Sequence, residues 1–133
     1  GKRHPIGVMG VLRRAAEQER KLPVLESVAK AVIIIRKEFP RNITMLDLAD
    51  ACGQSLRSLQ RRFNEAFGIS PQEFLMKTRI SEAMKLLQET SLTAAQIASR
   101  CGFVDASSLS DHFKKRSGLT PIEYRSSHRL QTQ

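Results

Sequence analysis

Forty-nine residues separate two near-copies of one short stretch: Leu48-Ala49-Asp50-Ala51-Cys52-Gly53 returns as Ile97-Ala98-Ser99-Arg100-Cys101-Gly102. Beyond the glycine the interval becomes fifty. It pairs Leu59 with Leu109, Phe63 with Phe113, Gly68 with Gly118, Pro71 with Pro121 and Phe74 with Tyr124, so one extra residue sits in the second turn. A period of this length means that one supersecondary unit is built twice. With 133 residues, the chain has room for one ordinary domain or two very small ones packed together, and for a modest core.

Each copy reads as helix, short turn, helix. In the first, Thr44-Met45-Leu46-Asp47 can cap a helix whose apolar positions Leu48, Ala49 and Cys52 recur at helical spacing, and Gly53 supplies the turn. The second helix begins near Ser55, presents Leu56, Leu59, Phe63 and Phe67 as one apolar stripe, and ends at Gly68. In the second copy Thr93-Ala94-Ala95-Gln96 is a capping box, Ile97, Ala98 and Cys101 face inward, and Gly102 makes the turn. Asp105 then caps a helix that buries Leu109 and Phe113 before Gly118 stops it.

The same start signal follows each copy. Ser70-Pro71-Gln72-Glu73 and Thr120-Pro121-Ile122-Glu123 both set a cap residue, Pro at the first helical position and Glu at the third. The first launches a helix over Pro71 to Glu89, with Phe74, Leu75, Ala83, Leu86 and Leu87 toward the core. Its nineteen residues span roughly 28 Å, comparable to the roughly 34 Å between major-groove turns on one face of B-DNA. Upstream, Val24 to Phe39 is expected to form a helix with Leu25, Val28, Val32, Ile35 and Phe39 on one face, ended by Pro40. The β-branched cluster Val32 to Ile35 also fits a strand, although its flanks are helical and no partner strand is evident. The expected organisation is all-α: two tandem helix-turn-helix subdomains joined by a long linker helix. Residues 1–22 are a linker or short helix (Val8, Met9, Leu12, Ala16), 23–70 the first lobe, 71–90 the linker helix, 91–125 the second lobe and 126–133 a tail.

Charge then points to a partner. Twenty-two Lys and Arg against thirteen Asp and Glu give a formal charge of +9, a surface suited to a polyanion, with nucleic acid first and an anionic membrane second. The aromatic share is 5% with no Trp, which leaves little for stacking on unpaired bases. The longest apolar run, Ala31 to Ile35, is too short to span a bilayer and no signal-peptide pattern opens the chain, so a cytoplasmic location is expected. The chain begins with Gly rather than Met, which fits a fragment of a longer protein. Cys52 and Cys101 invite a redox or metal reading, but neither has ligand spacing. Their matched place in the repeat makes them small core residues. No glycine-rich phosphate loop, zinc-protease motif, nucleophile elbow or Cys/His/Asp set is present, so no enzyme, cofactor or metal is expected.

With the apolar stripe buried, Arg57, Gln60, Arg61 and Asn64 fall together on the opposite side of the second helix at i, i+3, i+4 and i+7. Arg can bond bidentately to guanine, and Gln and Asn to adenine, so the set has the forks that base readout requires. A merely solvated helix face is the plainer alternative. Arg62 lies beside it and suits phosphate. The equivalent positions of the second copy are Ser107, Ser110, Asp111 and Lys114. Asp111 can accept from cytosine, but its carboxylate repels phosphate. His112 borders this face, and Lys114, Lys115 and Arg116 suit phosphate. An asymmetric reader is expected, in which the first copy supplies most of the direct specificity.

The stretch Ile97 to Phe103, with Leu109, Phe113-Lys114-Lys115, Gly118 and Thr120 to Arg125, resembles the signature of the AraC/XylS transcription regulators, and Arg79-Ile80, Ala83 and Leu86-Leu87 match that family's linker helix. The resemblance covers residues 25 to 125. It implies a seven-helix, bacterial-type DNA-binding domain whose two recognition helices enter adjacent major-groove segments of double-stranded DNA. By position, it puts base contacts on Arg57, Gln60 and Arg61, and on Ala106, Ser107, Ser110 and Asp111. Ala106 and acidic Asp111 depart from the polar or basic residues often found there. It further implies transcription activation through RNA polymerase and an effector or dimerisation domain outside this stretch. Two other readings stay open: a fragment of a DNA-repair methyl-transfer enzyme, whose reactive cysteine cluster this stretch lacks, and a basic module for an acidic protein or membrane.

Overall fold

The computed structural model describes residues 24–128. The readings for residues 1–22 and for the last five residues therefore lie outside the described part. Within it the chain forms seven helices and no strand: α1 over 24–38, α2 Met45–Ala51, α3 Leu56–Phe67, α4 Pro71–Glu89, α5 Ala94–Cys101, α6 Ala106–Ser117 and α7 Pro121–His128. The strand alternative at Val32 to Ile35 is excluded, since these residues lie inside α1. Helix α7 runs on to His128, so the first residues of the expected tail are helical. No helix among the described residues is long and apolar enough to cross a membrane.

Two compact units result: 24–33 with Met45–Pro71, and Ile34–Thr44 with Gln72 to 128. Residues 34–44, the end of α1 and the turn after it, thus group with α4 to α7, although the sequence places them in the first lobe.

In the first unit, α3 starts because Ser55 is extended (ψ 156°) and its Oγ accepts the Ser58 N–H at 3.1 Å, satisfying one orphan donor of the first turn. It stops because Gly68 adopts φ 75° and donates its N–H to Asn64 O at 2.7 Å. Between these ends Leu59 and Phe63 are fully buried, together with Leu48 and Ala49 of α2 and Val28 and Ala31 of α1. The leucine, valine and phenylalanine side chains among them stabilise by about 1.5–3 kcal/mol each when removed from water. Phe67 departs from the expected stripe. It is 42% exposed, its ring tilted against Phe63 with centroids 4.9 Å apart, because the stripe runs past the core at the last helical residue. Leu25 is likewise 40% exposed, and Ala31 rather than Leu25 completes the buried face of α1.

In the second unit Thr93 and Gln96 form the anticipated capping box, with Thr93 N donating to Gln96 Oε1 at 2.8 Å and Gln96 N to Thr93 Oγ1 at 3.1 Å. Asp105 caps α6 through Ser108 N at 2.8 Å, and Thr120 and Glu123 cap α7 reciprocally at 2.8 and 3.2 Å. The core gathers Ile80, Ala83 and Leu87 of α4, Ile97, Ala98 and Cys101 of α5, Phe103, Leu109 and Phe113, and Tyr124 of α7. Tyr124 meets Phe113 edge-on with centroids 5.3 Å apart, and its hydroxyl accepts the Gln88 amide at 2.6 Å, so its polar end is satisfied. Two arginines close helix C-termini. Arg125 donates to Leu87 O and Thr90 O at the end of α4, and Arg79 donates to Phe39 O and Arg41 O, both at 2.8 Å, beyond the end of α1.

Candidate nucleic-acid interface

Burying Leu59 and Phe63 fixes the rotation of α3, and this decides what its other side presents. Arg57, Gln60, Arg61 and Asn64 are all exposed and occupy one face at helical spacing. The helix that carries them is pinned at both ends by the Ser55 cap and Gly68, so four long polar side chains stand on a rigid base. Their chemistry supplies donors and acceptors in planar forks, which is what base edges in a major groove require. Arg62 is turned aside. It is half-buried, and its Nη1 lies 3.5 Å from Gln54 Oε1, while Gln54 Nε2 donates to Ser27 O at 2.6 Å. Gln54, which the sequence did not single out, thereby ties the turn of the first unit to α1.

On α6, burial of Leu109 and Phe113 leaves Ser107, Asp111, Lys114 and Lys115 exposed and Ala106, Ser110 and His112 half-buried. The three basic residues at its end divide into two kinds. Lys114 and Lys115 are exposed. Arg116 instead forms a two-point ion pair with Glu73 of α4, Nη2 to Oε1 at 2.8 Å and Nε to Oε2 at 3.1 Å. The Arg116 guanidinium holds the Glu73 carboxyl below the usual carboxylate range. Arg116 Nη1 also lies 3.3 Å from His112 Nδ1, and the His112 ring rests against Phe103 with centroids 5.8 Å apart. Because a guanidinium can only donate, His112 Nδ1 takes the acceptor role. His112 and Arg116, both read from the sequence as backbone contacts, are thus engaged within the second unit. Nothing in the sequence pairs Glu73 with Arg116, since they are 43 positions apart and the Ser70–Glu73 motif reads locally as a helix start.

Cys101 is fully buried, and that burial pushes its thiol up to about 12. Cys52 is half-buried just beyond α2 rather than in the core, and burial raises its thiol as well. Among the described residues no group of three or more His, Cys, Asp or Glu could hold a metal ion.

Comparison with known proteins adds to this geometry. A family model described as a helix-turn-helix domain matches residues 48–127. A Streptomyces lividans protein described as an AraC-like transcription regulator is 37% identical over 98 residues, covering 74% of this chain and 32% of its own. The bifunctional transcriptional activator and DNA repair enzyme AdaA of Bacillus subtilis is 29% identical over 119 residues, covering 90% of this chain and 56% of its own. The chain therefore spans about a third to just over half the length of these curated relatives. Among solved structures, the DNA-binding domain of AdpA, a global transcriptional factor in complex with a target DNA, superposes with a TM-score of 0.71 at 29% identity, over 82% of this chain and 95% of that one.

Proposed function

This chain belongs to the AraC-type family of helix-turn-helix DNA-binding domains, and on that premise we propose that it binds double-stranded DNA sequence-specifically and regulates transcription from the bound site. The observation that carries the reading is the exposed face of α3, where Arg57, Gln60, Arg61 and Asn64 stand together on a doubly capped helix. These four contact base edges. On α6, Ser107, Ser110 and Asp111 are the corresponding base-facing residues, with fewer forks, so the first unit contributes most of the hydrogen-bonded readout. Lys114 and Lys115 contact phosphate first. Arg62, His112 and Arg116 stand beside the two faces and reach the backbone only by leaving partners within their own units.

We further propose that the regulator acts in the cytoplasm and engages RNA polymerase; that it does so as an activator is supported by the AdaA relative, itself described as a transcriptional activator. We assign this stretch binding rather than catalysis, a reading supported by relatives described as transcription regulators. Selection of bound duplexes from a random pool tests the core of the reading. One enriched motif, with conserved base positions that weaken when Arg57 or Arg61 is replaced, is the expected result. A pool that binds without enrichment would overturn it. A reporter carrying the selected site upstream of a weak promoter then checks activation, which raises expression only when site and regulator are both present.

A further inference from the structure

The turn that leads into α6 differs from its counterpart in the first unit by one residue, and that residue ends in solvent. In the first copy the turn is Gly53-Gln54-Ser55, with Gln54 tethered inward to Ser27 O at 2.6 Å. In the second it is Gly102-Phe103-Val104-Asp105, where Phe103 is buried and Val104 is 93% exposed, the most exposed large apolar side chain among the described residues. Single exposed apolar residues are ordinary on protein surfaces. The position of this one is not arbitrary. It is held between Gly102, whose backbone is fixed at φ 91°, and the N-cap Asp105, whose carboxylate is engaged with Ser108 N at 2.8 Å. Recognition helices lead into the groove with their N-terminal residues, and at this end Val104 and Ala106, whose side chains cannot hydrogen-bond, stand beside the helix-capping Asp105 and the exposed Ser107.

We propose that Val104 reads the 5-methyl group of a thymine in the major groove, so that the second unit selects a base by apolar contact where the first uses hydrogen-bonding forks; this rests on the reading of the chain as a duplex-DNA binder. Thymine is the one base whose major-groove edge carries an apolar group. Burying that methyl against an exposed valine removes apolar surface of both partners from water. The carboxylate of the neighbouring Asp105 makes this end of α6 a poor seat for a phosphate, which favours base contact as the use of the position.

Deoxyuridine substitution isolates the methyl, because deoxyuridine keeps every hydrogen bond of thymidine. On the duplex recovered by selection, each thymine is replaced singly and affinity is measured for the wild type and for Val104→Ser. One replacement in the half-site of the second unit should weaken wild-type binding about three- to fivefold, the scale of one buried methyl group. Val104→Ser should bind the thymine duplex correspondingly less well and be indifferent to that replacement. Thermal unfolding of the variant should be unchanged, since the side chain is in water. A flat deoxyuridine scan with sequence-selective binding intact would overturn the methyl contact and leave the duplex reading standing. A methyl effect of equal size in Val104→Ser would overturn Val104 as its reader. Absence of any sequence-selective binding would overturn both.

Discussion

Arg116 and Glu73, 43 positions apart, meet through two parallel N–H to carboxylate contacts of 2.8 and 3.1 Å, and so fasten helix α6 to helix α4 within the second unit. A fork-on-fork pair of this kind fixes orientation as well as distance. It holds the helix that carries Ser107, Ser110, Asp111, Lys114 and Lys115.

The pair gives the fold an acid-sensitive contribution. The folded-state pKa of Glu73 is depressed, mainly by its hydrogen bond to Arg116. The stabilisation is therefore present above the ordinary glutamate value of about 4.3 and is lost as pH falls through the lower folded value. Glu73→Gln should cost about 0.5–1 kcal/mol at pH 7, given partial exposure, and the gap should close below about pH 4. Melting temperatures of both proteins across pH 3 to 7 check this. Glu123, also depressed, is common to both, so the difference reports on Glu73, and a gap that does not vary with pH would refute the assignment.

Two turn glycines should differ in their tolerance of alanine. Gly53 has φ 66° with open space where a Cβ would stand, so Gly53→Ala should cost about 1–2 kcal/mol, the left-handed penalty alone. At Gly102, φ 91°, a Cβ would lie 2.8 Å from Phe39 O and 2.9 Å from Arg79 Nε. Gly102→Ala should therefore cost about 1–3 kcal/mol more. Denaturant titration of the two variants measures the difference, and equal losses would mean that the close approach is not limiting.

Thiol labelling separates the cysteines. With its thiol pushed up to about 12 and its side chain buried, Cys101 should stay unlabelled by a disulfide reagent at pH 8 until the protein unfolds, while half-buried Cys52 reacts slowly in the native state. Two fast thiols in the folded protein would contradict the packing of α5.

On DNA, Arg61→Ala should cost about 1–3 kcal/mol on the selected site and relax base choice at one position, whereas Lys115→Ala should weaken all sequences alike and lower the salt slope by about one. Titrations on matched and mismatched duplexes at several salt concentrations distinguish the two. Indistinguishable variants would remove the division between base-reading and phosphate-contacting residues.

Periodicity and punctuation are local signals, and they determined most of the fold. The forty-nine-residue repeat announced two copies of one unit. Ser55, Thr93, Asp105, Gly68 and Gly118 marked helix ends that the structure reproduces, because a cap is decided by residues within three or four positions of itself. The face with Arg57, Gln60, Arg61 and Asn64 was legible for the same reason: once Leu59 and Phe63 are inward, helical geometry leaves those four outward. Tertiary structure alone decided the rest. Whether Phe67 and Cys52 reach the core depends on where the packed surface ends, which no spacing encodes. The capture of Arg116 by Glu73, of Arg79 by the carbonyls of Phe39 and Arg41, and of Gln54 by Ser27 O depends on distances between residues 27 to 43 positions apart. A basic residue and a free cation look identical in a sequence, and only the packed chain separates Lys115, in water, from Arg116, held by a carboxylate.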